Sequence, residues 1–270
     1  MERTTYLPDA DRLSILSAAI LLAYAASRFV EIPARELGLQ LPGFYLAVEL
    51  NIHTVVALLV AGLTATGADL LLRDHPALGE KRTVEHWLLP ALTAWTLGIP
   101  LNQMPVGLQW LISFAIAGFV IMLVLVSEYI AVDPEDERYP IASAALTAVA
   151  YALFLILAIV LQSAGFRLFL ILPALLLAAG LVSLRTLHLR LKGRWLYLRT
   201  LVIVVILTGM ISAFHYWPLS PITYGLLILG PAYSLTSLIG ALSEGQPLKR
   251  AIIEPTVVLM VVWGAAVWVA

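Results

Sequence analysis

The chain has 270 residues, 61% of them hydrophobic and 12% charged, with no cysteine and a net charge of −1. Its mean hydropathy is +0.95. A soluble domain is about 45–50% apolar and about 25% charged, so this composition belongs to an integral membrane protein and not to a soluble fold. Zero cysteines exclude disulfides, thiolate metal sites and a cysteine nucleophile, and the charge balance gives no bulk basicity for nucleic acid.

About 20 apolar residues are needed to cross roughly 30 Å of hydrocarbon. On that measure the sequence predicts nine spans, at about 13–32, 43–72, 87–104, 107–131, 141–163, 166–185, 195–216, 219–242 and 252–270. The expected fold is all-α, a polytopic helix bundle forming one transmembrane domain over residues 1–270. The first span follows Arg12, and Ala23-Tyr24-Ala25 has the form of a signal cleavage site. Asp9 and Asp11 dilute the basic region such a signal needs, which favours an uncleaved first span.

Along the first span, Ser17, Leu21, Tyr24, Arg28 and Glu31 follow 4-3-4-3 spacing and form one stripe that turns polar toward its end. The second span opens at Pro42-Gly43 and carries Glu49, Asn51 and His53. On a continuous helix Glu49 and His53 lie ~40° apart and share a face, with Asn51 pointing elsewhere. A 30-residue helix would be about 45 Å long, so this span must tilt or protrude. An ionisable group at mid-bilayer costs about 2.5–3.5 kcal/mol on insertion scales, which makes Arg28, Glu31, Glu49 and His53 the leading candidate site. An Arg28–Glu49 pair with Glu31 competing is expected, because a guanidinium cannot discharge and suits a carboxylate. The competing reading is a structural lock between the first two helices.

The third span holds Pro90 and Pro100 and ends near Pro105, so it is expected to be kinked or partly re-entrant. DPEDER at 133–138 closes the fourth; it lacks the ligand spacing and turn glycine of an EF-hand and reads as a solvated loop. LLPAL at 88–92 and ILPAL at 171–175 could mark an inverted repeat, but five common membrane residues match readily by chance. RTLHLRLKGRW at 185–195 is the most basic stretch. Arg185, Arg190, Lys192 and Arg194 are candidate contacts for anionic lipid, against the simpler reading of ordinary topology, and Gly193 is a candidate helix stop. His215 with Tyr216, Gln162 and Tyr224 fall at the level expected for Glu49, and His215 is the fifth candidate for the polar pocket. Gly230-Pro231 and Pro173 would interrupt helix hydrogen bonds.

Thirteen of the sixteen Lys and Arg residues fall on one side of a nine-span topology, and only Arg28, Arg35 and Arg167 on the other. The positive-inside rule then places the N-terminus in the cytoplasm and the C-terminus outside, in a membrane expected to be the plasma (inner) membrane of a prokaryote. Most tryptophans fit interfacial belts, whereas Trp95 and Trp263 sit in mid-span.

There is no Walker A, GxSxG, Rossmann glycine pattern, HExxH or paired-Cys motif. No cofactor and no metal are expected. The expected partners are membrane lipids, with homo-oligomerisation or partner membrane subunits left open. Small-molecule or lipid handling of transport type, through an outward-side polar pocket, leads. The alternatives are an intramembrane enzyme on a lipid or polyprenyl substrate and an assembly subunit of a membrane complex.

Overall fold

In the computed structural model, residues 7–27, 35–41, 44–50, 52–79 and 83–269 are described; for Ser27, Gln103 and those within 35–54 this concerns the backbone alone. Contacts divide the chain into two compact units, residues 4–132 and a unit built from 133–270. Among the described residues seven helices are long and apolar enough to cross a membrane. The protein is therefore a helical, membrane-embedded bundle.

In the first unit α1 is Ala10–Ser27, α2 Ile52–Leu72, α3 Leu88–Gln103 and α4 Leu108–Ile130, with a single 3-10 turn at Val84–His86. Two strands, β1 (Arg35–Leu41) and β2 (Phe44–Leu50), pair antiparallel between α1 and α2, with Leu41 opposite Phe44 and Arg35 opposite Leu50. This corrects the expectation of one helix over 43–72. Leu37, Leu39 and Leu41 alternate with Glu36, Gly38 and Gln40, a period of two that favours a strand. The helix that remains has 21 residues, about 32 Å long, which matches the hydrocarbon thickness without excess. The helical spacing that put Glu49 and His53 on one face no longer applies, since Glu49 belongs to β2.

The seven qualifying helices do not include α1 or α3. Helix α3 has 16 residues with Pro100 inside it, about 24 Å long against a hydrocarbon thickness of roughly 30 Å. Close approach in this unit depends on small residues. A Cβ on Gly67 would lie 2.1 Å from the Leu16 side chain, and one on Gly98 would lie 2.7 Å from the Tyr24 ring. Tyr24 is buried and its hydroxyl donates to the Ala94 carbonyl, pinning α1 to α3. At the end where α2 and α4 finish, His86 Nδ1 lies 2.7 Å from Glu128, both almost fully buried. Asp69 accepts from Thr83 and from Arg73 at 2.9 Å.

The second unit holds α5 (Tyr139–Ser163), α6 (Leu168–Arg190), α7 (Tyr197–His215), α8 (Pro221–Ser243), the one-turn α9 (Leu248–Ala251) and α10 (Ile253–Val269). DPEDER folds on itself ahead of α5: Asp136 takes the Arg138 backbone N–H at 2.8 Å and its guanidinium at 2.8 and 3.1 Å. That pairing raises the Arg138 pKa further. Helix α6 continues beyond the membrane span expected to end at 185 and stops at Arg190 in a Schellman pattern that includes Gly193, the candidate helix stop. Lys192 donates to the Leu189 carbonyl and Gly193 to that of His188. Lys192 (φ 47°) takes the left-handed position expected of Gly193, which itself has φ 94°.

Helix α8 is the centre of this unit and packs on α5, α6, α7 and α10. Its glycines admit three different neighbours. Gly225 faces Leu155 and Ile159 of α5, Gly230 faces Leu259 and Trp263 of α10, and Gly240 faces the Arg190 side chain. The helix runs unbroken through Gly230-Pro231. Pro231 has no N–H for the Leu227 carbonyl four residues earlier. The indole N–H of Trp263 donates to that carbonyl at 3.2 Å, which explains a tryptophan in mid-span.

Two outcomes test this packing by thermal unfolding in detergent. Trp263→Phe should destabilise by about 1–3 kcal/mol, because the Leu227 carbonyl loses its donor. In Pro231→Ala, where the helix supplies an N–H, the same change should cost clearly less; equal costs would contradict the assignment. Gly98→Ala should cost about 1–3 kcal/mol through overpacking against Tyr24, whereas Gly62→Ala, with nothing within 4 Å, should be neutral or stabilising.

Candidate functional site

Ser143, Thr147 and Tyr151 recur every fourth residue in the first half of α5 and form one stripe. Thr186, Leu189 and Arg190 in the last turns of α6, and Tyr233, Thr236 and Ser237 in the second half of α8, complete the wall of a cavity of about 450 Å³. That size is within the range of small-molecule sites. Ala144 and Ala148 also line it and are exposed, so the opening runs along the α5 flank.

Its one guanidinium is held from within the bundle. Arg190 forms a bidentate pair with Glu244, Nε to Oε1 at 2.6 Å and Nη2 to Oε2 at 3.1 Å. Nη1 donates to the Ser237 carbonyl and hydroxyl, both at 3.2 Å. Glu254, near the start of α10, accepts from the Tyr233 hydroxyl at 2.9 Å and from Ser237 at 3.2 Å. A carboxylate suits that position because the helix N-terminus carries partial positive charge.

Two polar atoms of the wall differ from these. The Tyr151 hydroxyl and Thr186 Oγ1 are buried and have no hydrogen-bond partner. Tyr151 is 7% exposed, its ring edge-on to Tyr233 at 5.1 Å, and its hydroxyl is surrounded by those of Thr236, Thr186 and Ser183. Thr236 Oγ1 lies 2.7 Å from the Ala232 carbonyl, to which its proton is donated, and 2.9 Å from the Ser183 hydroxyl. A buried hydroxyl left unpaired costs about 1–3 kcal/mol, and buried polar groups are nearly always paired, by protein, water or ligand.

The residues expected from the sequence fall elsewhere. Arg28 and Glu31 lie outside the described residues. Glu49 stands in β2 opposite Glu36 and His53 in the first turn of α2, and neither side chain is described. His215 ends α7, in the other unit; its Nδ1 is buried without a partner and its ring meets Tyr216 edge-on at 5.2 Å. The four basic candidates do not form one surface. Arg185 is 2% exposed and Arg190 lines the cavity, whereas Lys192 reaches Glu135 at 3.4 Å in solvent and Arg194 is exposed. Among the described residues no three His, Asp or Glu are grouped to hold a metal ion.

The hydroxyls of α5, α6 and α8 were not singled out from the sequence. Their signal is weak, because Ser and Thr in membrane helices commonly bond the carbonyl four residues back. The Ser143-Thr147-Tyr151 spacing was the one visible trace.

If the two hydroxyls lack partners within the protein, Tyr151→Phe should leave stability unchanged or raise it by up to about 1 kcal/mol, measured by thermal unfolding of delipidated protein. A loss of more than about 1 kcal/mol would show that the hydroxyl bonds inside the bundle.

No curated protein and no solved structure matches the chain. One family model does, over residues 32–269, nearly the whole length. The chain belongs to the DUF5656 family, described as proteins of unknown function.

Proposed function

We propose that this protein handles a small molecule or a lipid, in the manner of a transporter, and that the cavity among α5, α6 and α8 is where it holds its cargo. The observation that carries this reading is the pair of unpartnered hydroxyls, Tyr151 and Thr186, buried on the wall of a 450 Å³ cavity. Nine crossings with a cytoplasmic N-terminus remain the topology we favour, on the Lys and Arg distribution. Under it, α5 begins and α6 and α8 end at the cytoplasmic face of a prokaryotic inner membrane, and the cavity lies near the cytoplasmic ends of these helices. The proposed site is therefore at the level of Arg190, not at the outer level expected for Arg28, Glu49 and His53.

The natural absence of cysteine makes a direct test available. Thr147→Cys should react with a membrane-impermeant methanethiosulfonate in inside-out vesicles about tenfold or more faster than Ala150→Cys, a fully buried position of α5 that does not line the cavity. Transport requires that the same thiol also be reached from the outer face. Reaction from the inner face alone would make the cavity a binding site without transport, and no reaction from either face would remove the proposal.

A further inference from the structure

The polar groups of the cavity restrict the charge of what enters it. Arg190 directs Nε and Nη2 at Glu244 and Nη1 at Ser237. An anion would have to displace a bidentate carboxylate, and would approach Glu244 and Glu254 together. A cation would meet Glu254 already accepting two hydroxyl donors. The groups left with unused capacity are neutral: the Tyr151 hydroxyl and Thr186 Oγ1. A hydroxyl both donates and accepts, so two side by side suit an alcohol or an ester carbonyl.

The remainder of the wall suits hydrocarbon. Leu189, Ala144, Ala148 and the methyl groups of Thr147 and Thr186 offer apolar surface beside those two hydroxyls. Ala144 and Ala148 are small, exposed and one turn apart on the flank of a membrane-crossing helix. Two small exposed residues leave a notch on that flank.

Resting on the reading of the cavity given above, we infer that it takes an uncharged membrane lipid with a hydroxyl- or ester-bearing head. Tyr151 and Thr186 hydrogen-bond the head, and the chain leaves along the Ala144–Ala148 notch. Arg190 acts here as a positioning residue. Tied to Glu244 and lying against Gly240, it fixes the α6 end of the wall and does not contact the lipid.

The test uses the full chain in nanodiscs and a monoacylglycerol carrying a diazirine in its acyl chain. Labelling should map to α5 near Ala144 and Ala148. Unlabelled monoacylglycerol should protect, while the lysophosphatidate of the same chain and the corresponding alkylamine should protect about tenfold less well, as expected for charges with no free partner. Glycerol should not protect. Tyr151→Phe and Thr186→Val should each weaken labelling about three- to tenfold, the worth of one hydrogen bond, and unfolding temperatures report whether each variant folds. Competition on the unmodified protein decides the charge question independently of any variant.

Best protection by lysophosphatidate, with labelling lost in Arg190→Gln, would overturn the inference in favour of an anionic head. Protection by glycerol equal to that by monoacylglycerol would replace the lipid with a water-soluble polyol. Both results leave a cargo-holding cavity standing. Labelling that no competitor reduces, with Thr147→Cys reactive, would mean that the hydroxyls hold water only and that the inference is wrong. Absence of cavity labelling together with an unreactive Thr147→Cys would overturn the proposed function itself.

Discussion

An arginine in a membrane bundle cannot give up its proton and must be matched within reach of its side chain. In residues 133–270 that constraint acts at Arg190. Its match, Glu244, lies just past the end of α8, and the side chain passes over Gly240, where a Cβ would come within 2.8 Å of Arg190 Cδ. The pair joins the end of α6 to the end of α8. Ser237 joins the same group, and through Glu254 and Tyr233 the network extends to α10. The ends of α6 and α8 and the start of α10 are thus set by one continuous set of charge-assisted hydrogen bonds.

The cavity follows from that arrangement. With α6 and α8 fixed at one end, the small residues Ser143, Ala144, Thr147 and Ala148 of α5 leave space between the three helices. Because the network satisfies Arg190 internally, the open space is left with hydroxyls and methyl groups. A membrane protein that kept a free arginine there would select anions; this one has used its charge for packing. The same economy occurs at Pro231, where the helix loses a donor and Trp263 from α10 supplies one. In both places a departure from regular helix chemistry is compensated by a neighbouring helix, so that α8 remains continuous and central in packing.

The helical, membrane-embedded class was legible in the sequence because twenty-residue apolar runs have a length fixed by the bilayer. The ends of α4, α5, α7 and α8 lie within about two residues of those expected, since prolines and polar clusters mark them. What was not legible had physical causes. FYLAVEL is apolar enough for a helix, and its pairing with RELGLQL is a long-range choice that hydropathy does not record. The burial of Arg185 and His188 was not legible, because both look like the start of a solvated segment but lie within the bundle. The cavity was missed because charge drew the reading to Arg28, Glu49 and His53, while hydroxyls in membrane helices carry little information until their partners are known. Arg190 stands out in the sequence as a candidate contact for lipid phosphate, and the structure shows an internal pair with Glu244 that composition cannot reveal.

The central claim is that the hydroxyls of Tyr151 and Thr186 are completed by a molecule other than the protein. An experimental structure of the full chain in a native-lipid nanodisc, at a resolution that separates hydroxyl contacts, tests it most directly. The expected result is non-protein density between α5, α6 and α8, elongated toward Ala144 and Ala148, with a polar end within hydrogen-bond distance of both hydroxyls and no atom displacing Glu244 from Arg190. A closed cavity in which Tyr151 bonds Thr186 or Ser183 directly would contradict it.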